Sequence, residues 1–172
     1  LQAIDATIHV LLDPASEEHR TLLDWLPRVT GFSAEMVRVN LNATLRTYRA
    51  PQLQRFVAED FGGHDMLDGF APRVTGGLTH AEGAALLTHI WAGNVPGLPL
   101  WSLVSGLLVK AGNLGKVSAG EPVLASVFAR TLARLSPAVG NACAVLWWDR
   151  QDEATAQAVW AASEAVIAFG GD

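Results

Sequence analysis

Cysteine is nearly absent, for the 172 residues contain one, Cys143. A lone thiol forms no internal disulfide and removes the paired-thiolate zinc patterns, so a reducing compartment, the cytoplasm, is the expected home. Positive charge is scarce as well. Lysine and arginine number 12 against 17 acids, the net charge is -5, and seven of the twelve basic residues are scattered between Arg20 and Arg73. No cationic face is built, which argues for no nucleic acid as partner. A membrane span is also missing: the uncharged stretch Ile90 to Val109 is broken by Asn94, Pro96 and Pro99, leaving Leu98 to Val109, too short to cross. No basic stretch precedes the apolar Ile8 to Leu12, and neither a repeat nor a low-complexity tract is found. What is present is apolar: 50% of the residues are hydrophobic and 17% charged, which excludes disorder and supports about one domain with a full core. The chain opens on Leu1 and closes just after an apolar run, and so reads as a fragment.

Charge density divides the chain. Of 29 charged residues, 18 lie in the first 85 positions and 11 in the remaining 87. In residues 1–80, Leu22, Leu23, Leu26 and then Met36, Val37, Leu41, Leu45 recur at helical spacing. Ser16 and Ser33 stand where N-caps belong, and Pro14, Gly31, Pro51 and Gly62-Gly63 punctuate the pattern. This predicts a helical N-terminal region with helices near 15–29, 33–48 and 51–60. In residues 81–172 the rhythm changes: apolar Leu86 to Trp91, helix-like Leu98 to Lys110, apolar Leu114 to Val117, helix-like Pro122 to Leu135, apolar Ala142 to Trp148, helix-like Glu153 to Ala162, apolar Ala165 to Phe169. Such β-α-β-α-β-α-β alternation predicts an α/β domain with a parallel sheet, which binds ligands at the carboxyl ends of its strands. The polar tips there are Gly93-Asn94, Ser118, Asp149 and Gly170-Gly171.

Several familiar motifs are approached and missed. Gly112-Asn113-Leu114-Gly115-Lys116-Val117 imitates a P-loop, but its glycines stand too close and Val117 replaces the magnesium-binding hydroxyl. Around Ser118, Lys116 occupies the glycine position that a nucleophile elbow requires. No G-x-G-x-x-G follows a strand. His9, His19, His64, His80 and His89 show no compact ligand spacing, so they read as surface or core residues and no metal is expected. Cys143 falls in an apolar strand pattern, where burial keeps it a thiol with a packing role.

Two polar residues at successive strand ends remain. Asn94 lies in Ala92-Gly93-Asn94-Val95-Pro96-Gly97, where glycines and a proline fix the turn. It is either a turn-forming residue or a neutral, directional donor to charge developing on a carbonyl oxygen. Lys116 ends the next strand, followed by Ser118. It is either an exposed lysine or the residue that reads an adenosine ribose, where a cation without an adjacent acid tolerates a 2′-phosphate. Gly170-Gly171 either turns the chain or lets backbone approach a pyrophosphate.

At these residues the sequence resembles the acyl-CoA reductase (LuxC) family, the fatty-acid reductases of bacterial bioluminescence, within the aldehyde dehydrogenase superfamily. His89-Ile90-Trp91-Ala92-Gly93-Asn94-Val95-Pro96 is similar to the family's H-x-x-A-G-N-x-P. Gly112-Asn113 through Lys116 and Ser118 to Pro122 is similar to its G-N-x-x-K-x-S-x-x-x-P, and Ala165 to Asp172 resembles its next cofactor-side strand and turn. The resemblance implies a parallel Rossmann-like sheet of the aldehyde dehydrogenase type. It implies an NADPH site, with NADH also accepted, in which Gly93, Lys116, Ser118, Phe169, Gly170 and Gly171 border the cofactor. Asn94 would be the catalytic oxyanion donor, and Ala119 stands where NAD-preferring relatives often place Glu. The implied reaction reduces an acyl-CoA or acyl-protein thioester to a fatty aldehyde through a cysteine thioester. That cysteine belongs to a later segment of the family, so the chain alone is expected to be inactive and, with apolar surface exposed along the helix from Leu98, to self-associate as a homo-oligomer. The competing expectations are a non-catalytic nucleotide-binding or partner-docking module and an acyl-phosphate reductase of the same superfamily.

Overall fold

The computed structural model describes residues 1–93 and 97–170. It opens with α1 (Gln2–Leu12), α2 (Glu17–Thr30), α3 (Ala34–Arg46), α4 (Ala50–Phe61) and the single turn α5 (Asp65–Asp68), followed by a short antiparallel pair, β1 (Ala71–Pro72) with β2 (Leu78–Thr79). The expected helices match α2, α3 and α4 closely, and the physical reasons hold: Ser16 Oγ accepts the His19 amide at 3.0 Å and Ser33 Oγ the Met36 amide at 3.2 Å. Helix α1 and the β1–β2 pair were not anticipated. The α1 segment buries Ile4, Thr7, Ile8 and Leu11, a helical stripe that no side-chain N-cap marks in the sequence.

The remainder alternates β3 (Leu87–Ile90), α6 (Leu98–Leu108), β4 (Asn113–Lys116), α7 (Val123–Leu135), the short α8 (Pro137–Gly140), β5 (Cys143–Leu146), α9 (Glu153–Ala162) and β6 (Ala165–Ala168). The four strands form one parallel sheet in the order β5-β4-β3-β6, with Leu87 opposite Asn113 and Ala165, and Asn113 opposite Cys143. This is a Rossmann-like arrangement: the chain moves outward from β3 through β4 to β5, then crosses back to the other side of β3. The reversal of direction between β3 and β6 is a topological switch point, where strand-end loops diverge and leave room for a ligand.

One continuous core joins the two regions. Ile8 and Leu11 of α1, Leu22 of α2, Leu45 of α3, Leu100 and Leu103 of α6, and Phe128 and Leu132 of α7 are fully buried in it. Polar ties lie over this core: the Asp5 carboxylate accepts from Arg49 Nε at 2.6 Å and the Ala50 amide at 2.7 Å, and Arg134 pairs with Glu18 at 2.6 Å. The expectation that the helix from Leu98 leaves apolar surface exposed holds only at Trp101, which is 37% exposed. Most of α6 is enclosed, because α7 and strands β3 and β4 pack around it. The larger exposed apolar surface lies elsewhere: α9 has no buried residue, all of β6 is exposed, and Leu146, Trp160 and Val166 are each 44–48% accessible.

Candidate functional site

The carboxyl end of β3 is held from behind by a buried polar chain. His89 is fully buried, with Nδ1 2.6 Å from Ser102 Oγ on α6 and Nε2 2.9 Å from Asn113 Oδ1 on β4. Asn113 Nδ2 donates to the Ala111 carbonyl at 2.6 Å, which orients the amide so that Oδ1 faces the imidazole. An oxygen there requires Nε2 to donate, leaving Nδ1 to accept from the Ser102 hydroxyl. Burial pushes the His89 pKa below its ordinary value, although the Asn113 bond opposes this, so the ring is neutral in the fold. Gly106 of α6 makes room for the chain: a Cβ there would stand 1.8 Å from Asn113 Oδ1. His89 is therefore a core histidine whose work is to fix α6, β3 and β4 together.

In front of that support, three strand ends meet. The Trp91 amide donates to the Lys116 carbonyl at 3.1 Å and the Phe169 amide to the Ile90 carbonyl at 2.8 Å, so pairing continues past each strand into the loops. The turn after β3 then presses on the loop after β4. A Cβ on Gly93 would lie 2.4 Å from Ser118 Oγ and 3.0 Å from Ser118 Cβ, so a larger residue fits only if the Ser118 side chain swings aside. Ser118 Oγ also accepts the Gly120 amide at 3.1 Å, closing the loop on itself. Gly93, Lys116, Ser118 and Phe169 thus lie along the carboxyl edge of β6-β3-β4. Gly170 is exposed beyond Phe169. Asn94 and Gly171 lie outside the described residues.

Two residues of this edge escaped the sequence reading. Glu121 is buried, and its Oε1 accepts the Val123 amide at 2.8 Å and the Leu124 amide at 2.9 Å. The carboxylate closest in sequence to Lys116 is therefore spent on the open N-terminus of α7, where it satisfies orphan donors and matches the helix dipole. Trp148 is buried just past the end of β5, and Lys116 Nζ stands 5.1 Å from its ring centroid. Strand alternation was the available signal, since Trp148 follows Leu146, the register partner of Lys116, by two positions. Lys116 has no carboxylate partner among the described residues. Cys143 is half-buried on the opposite face of β5, against α7, and burial pushes its thiol up to about 11, which suits a packing role. Among the described residues no group of acids, histidines and cysteine is placed to hold a metal ion, and no helix is long and apolar enough to cross a membrane.

Comparison with known proteins bears on this geometry. A family model described as acyl-CoA reductase (LuxC) matches residues 2–172. The long-chain acyl-protein thioester reductase of Aliivibrio fischeri is 27% identical over 164 residues, covering 91% of this chain and 34% of that protein. Its counterpart in Photorhabdus luminescens is 25% identical over 157 residues, covering 89% of this chain and 32% of that protein. The chain thus spans about a third of the length of these curated relatives.

Proposed function

The chain belongs to the acyl-CoA reductase (LuxC) family, and on that premise we propose that it forms the N-terminal, cofactor-binding part of an NAD(P)H-dependent acyl-thioester reductase that yields a fatty aldehyde. The observation that carries the reading is Lys116, without a carboxylate partner among the described residues, at the end of β4 beside the β3–β6 switch point, with Ser118 two positions on packed against the glycine turn at Gly93. The residues present fit a phosphorylated dinucleotide. Among the described residues no acid pairs with the ammonium, Glu121 is turned away to the N-terminus of α7, and Ala119 brings no charge.

In this reading Lys116 attracts the ribose and its 2′-phosphate, and Ser118 donates beside it. Gly93 keeps the β3 turn close to the same ligand, while Phe169 and Gly170, with Gly171 next in the sequence, are the residues assigned to the pyrophosphate. Asn94 follows Gly93 in the sequence, and its role in this reading is to donate its carboxamide N–H to the acyl oxygen as negative charge gathers there. A reduced nicotinamide held by these residues would supply the hydride that the acyl carbon requires. The acyl group is held as a thioester on a cysteine that does not lie in this chain, since Cys143 faces α7 and remains a thiol. The substrate is an acyl-protein or acyl-CoA thioester, and this chain by itself binds cofactor without turning over.

Titration of the purified chain with NADPH and NADH, followed by tryptophan fluorescence, tests the reading, with Lys116→Ala as control and circular dichroism confirming the fold of both. Saturable NADPH binding that weakens in the variant is the expected result. Equal binding by the two folded proteins removes Lys116 from the site, and aldehyde formation from acyl-CoA and NADPH by this chain alone refutes the external cysteine.

A further inference from the structure

The contact between Lys116 and Trp148 is unexplained by anything above. Just past β5, Trp148 is 7% exposed while its neighbour Trp147 is 57% exposed, so one indole turns inward and the other to solvent. The inward ring meets a single cation, Lys116, whose Nζ stands 5.1 Å from the ring centroid. An ammonium held over an aromatic face is attracted by the ring quadrupole and keeps N–H donors free on its outer side. A flexible four-carbon side chain held in this way has less rotamer freedom to lose when an anion arrives.

We propose that Trp148 is a positioning residue for the Lys116 ammonium and thereby sets the preference of this site for a phosphorylated over an unphosphorylated adenosine ribose. The inference rests on the cofactor reading of Lys116 and extends it to a residue just past the neighbouring strand. Trp148 touches the lysine and acts through it. Its effect is therefore confined to ligands that carry the extra phosphate.

The probes are 2′,5′-ADP and 5′-ADP, titrated calorimetrically into the wild-type chain and the Trp148→Leu, Trp148→Phe and Lys116→Ala variants. The expected result is a loss of roughly two- to fivefold in 2′,5′-ADP affinity in Trp148→Leu, with 5′-ADP unchanged and Trp148→Phe intermediate, because Phe is the weaker cation–π partner. Equal loss for both ligands, or none, overturns the inference. If Lys116→Ala binds 2′,5′-ADP as wild type does, or if the wild-type chain does not bind it, the cofactor reading falls and the inference with it. If only Lys116→Ala weakens binding, the inference alone falls. A second measurement needs no variant at position 148. The chain has two lysines, Lys110 and Lys116, so their ε-methylene proton signals are readily assigned with Lys116→Ala. The Lys116 signal should lie upfield in the ring current and move when 2′,5′-ADP is added. Coincidence with the Lys110 signal overturns the proposal.

Discussion

Replacing Gly106 with alanine sets two effects of opposite sign against each other. Within a helix, alanine in place of glycine gains about 1 kcal/mol from backbone entropy and propensity. Gly106, however, lies inside α6 against the sheet, and a Cβ there would stand 1.8 Å from Asn113 Oδ1, 2.9 Å from Asn113 Cγ and 3.3 Å from His89 Nε2. No rotation of the new methyl relieves this, so Asn113 must swing away or α6 must lift. The first breaks the bonds that Asn113 makes to His89 and to the Ala111 carbonyl, and each buried group left unmatched costs about 1–3 kcal/mol. Lifting α6 costs a similar amount, about 1–3 kcal/mol, in lost packing. Two unmatched groups less the propensity gain leave a net destabilisation of about 1–5 kcal/mol. Urea unfolding followed by far-ultraviolet circular dichroism measures this directly. Asn113→Ala removes the obstruction, so the double variant should be more stable than the sum of the single effects by at least about 1 kcal/mol. A Gly106→Ala protein as stable as wild type, or strict additivity, refutes the account of the His89 chain.

Three further outcomes are expected. Glu121→Ala should lose about 1–2 kcal/mol in thermal or urea unfolding, with Glu121→Gln losing less, because the amide oxygen still accepts from Val123 and Leu124; equal stability of Glu121→Ala and wild type would exclude the capping role. Gly93→Ala forces Ser118 to rotate off the Gly120 amide, at about 1 kcal/mol, and NADPH binding should weaken more than folding does; restoration of binding by a second change, Ser118→Gly, checks the cause. The folded-state pKa of His89 is depressed by burial, so the unfolded chain takes up this proton first as pH falls. The stability it contributes is complete above the unfolded value of 6.5 and declines as pH drops through the folded value. Unfolding free energies at pH 7.5 and 5.5 should therefore diverge less in His89→Gln than in wild type, and parallel slopes would contradict a buried neutral ring.

Local pattern carried much of this architecture. Ser16 and Ser33 announce α2 and α3 because a hydroxyl before an apolar stripe satisfies amides that nothing else can reach. The seven alternating segments from Leu87 onward fall where short apolar runs and turn residues put them, since a strand or a helix needs only its own periodicity to be legible. Helix α1 carries the same kind of stripe in Ile4, Ile8 and Leu11, but Leu1 stands at its N-cap with no capping hydroxyl to announce it. The site is half legible in the same way: Lys116, Ser118, Gly93 and Phe169 stand at strand ends, and strand ends are local features.

The sequence by itself determined the elements, their order, and the polar residues at their carboxyl ends, because each depends on neighbours within a few positions. Tertiary structure alone decided that β6 returns beside β3 rather than beside β5, which creates the switch point. It decided that Glu121 turns to the N-terminus of α7 while Lys116 rests on Trp148, and that Gly106 and Gly93 leave room for Asn113 and Ser118. Those outcomes depend on which surfaces meet across 24 positions, from His89 to Asn113, or across 32, from Lys116 to Trp148. No local pattern reports such meetings, since they arise from packing several elements around one core.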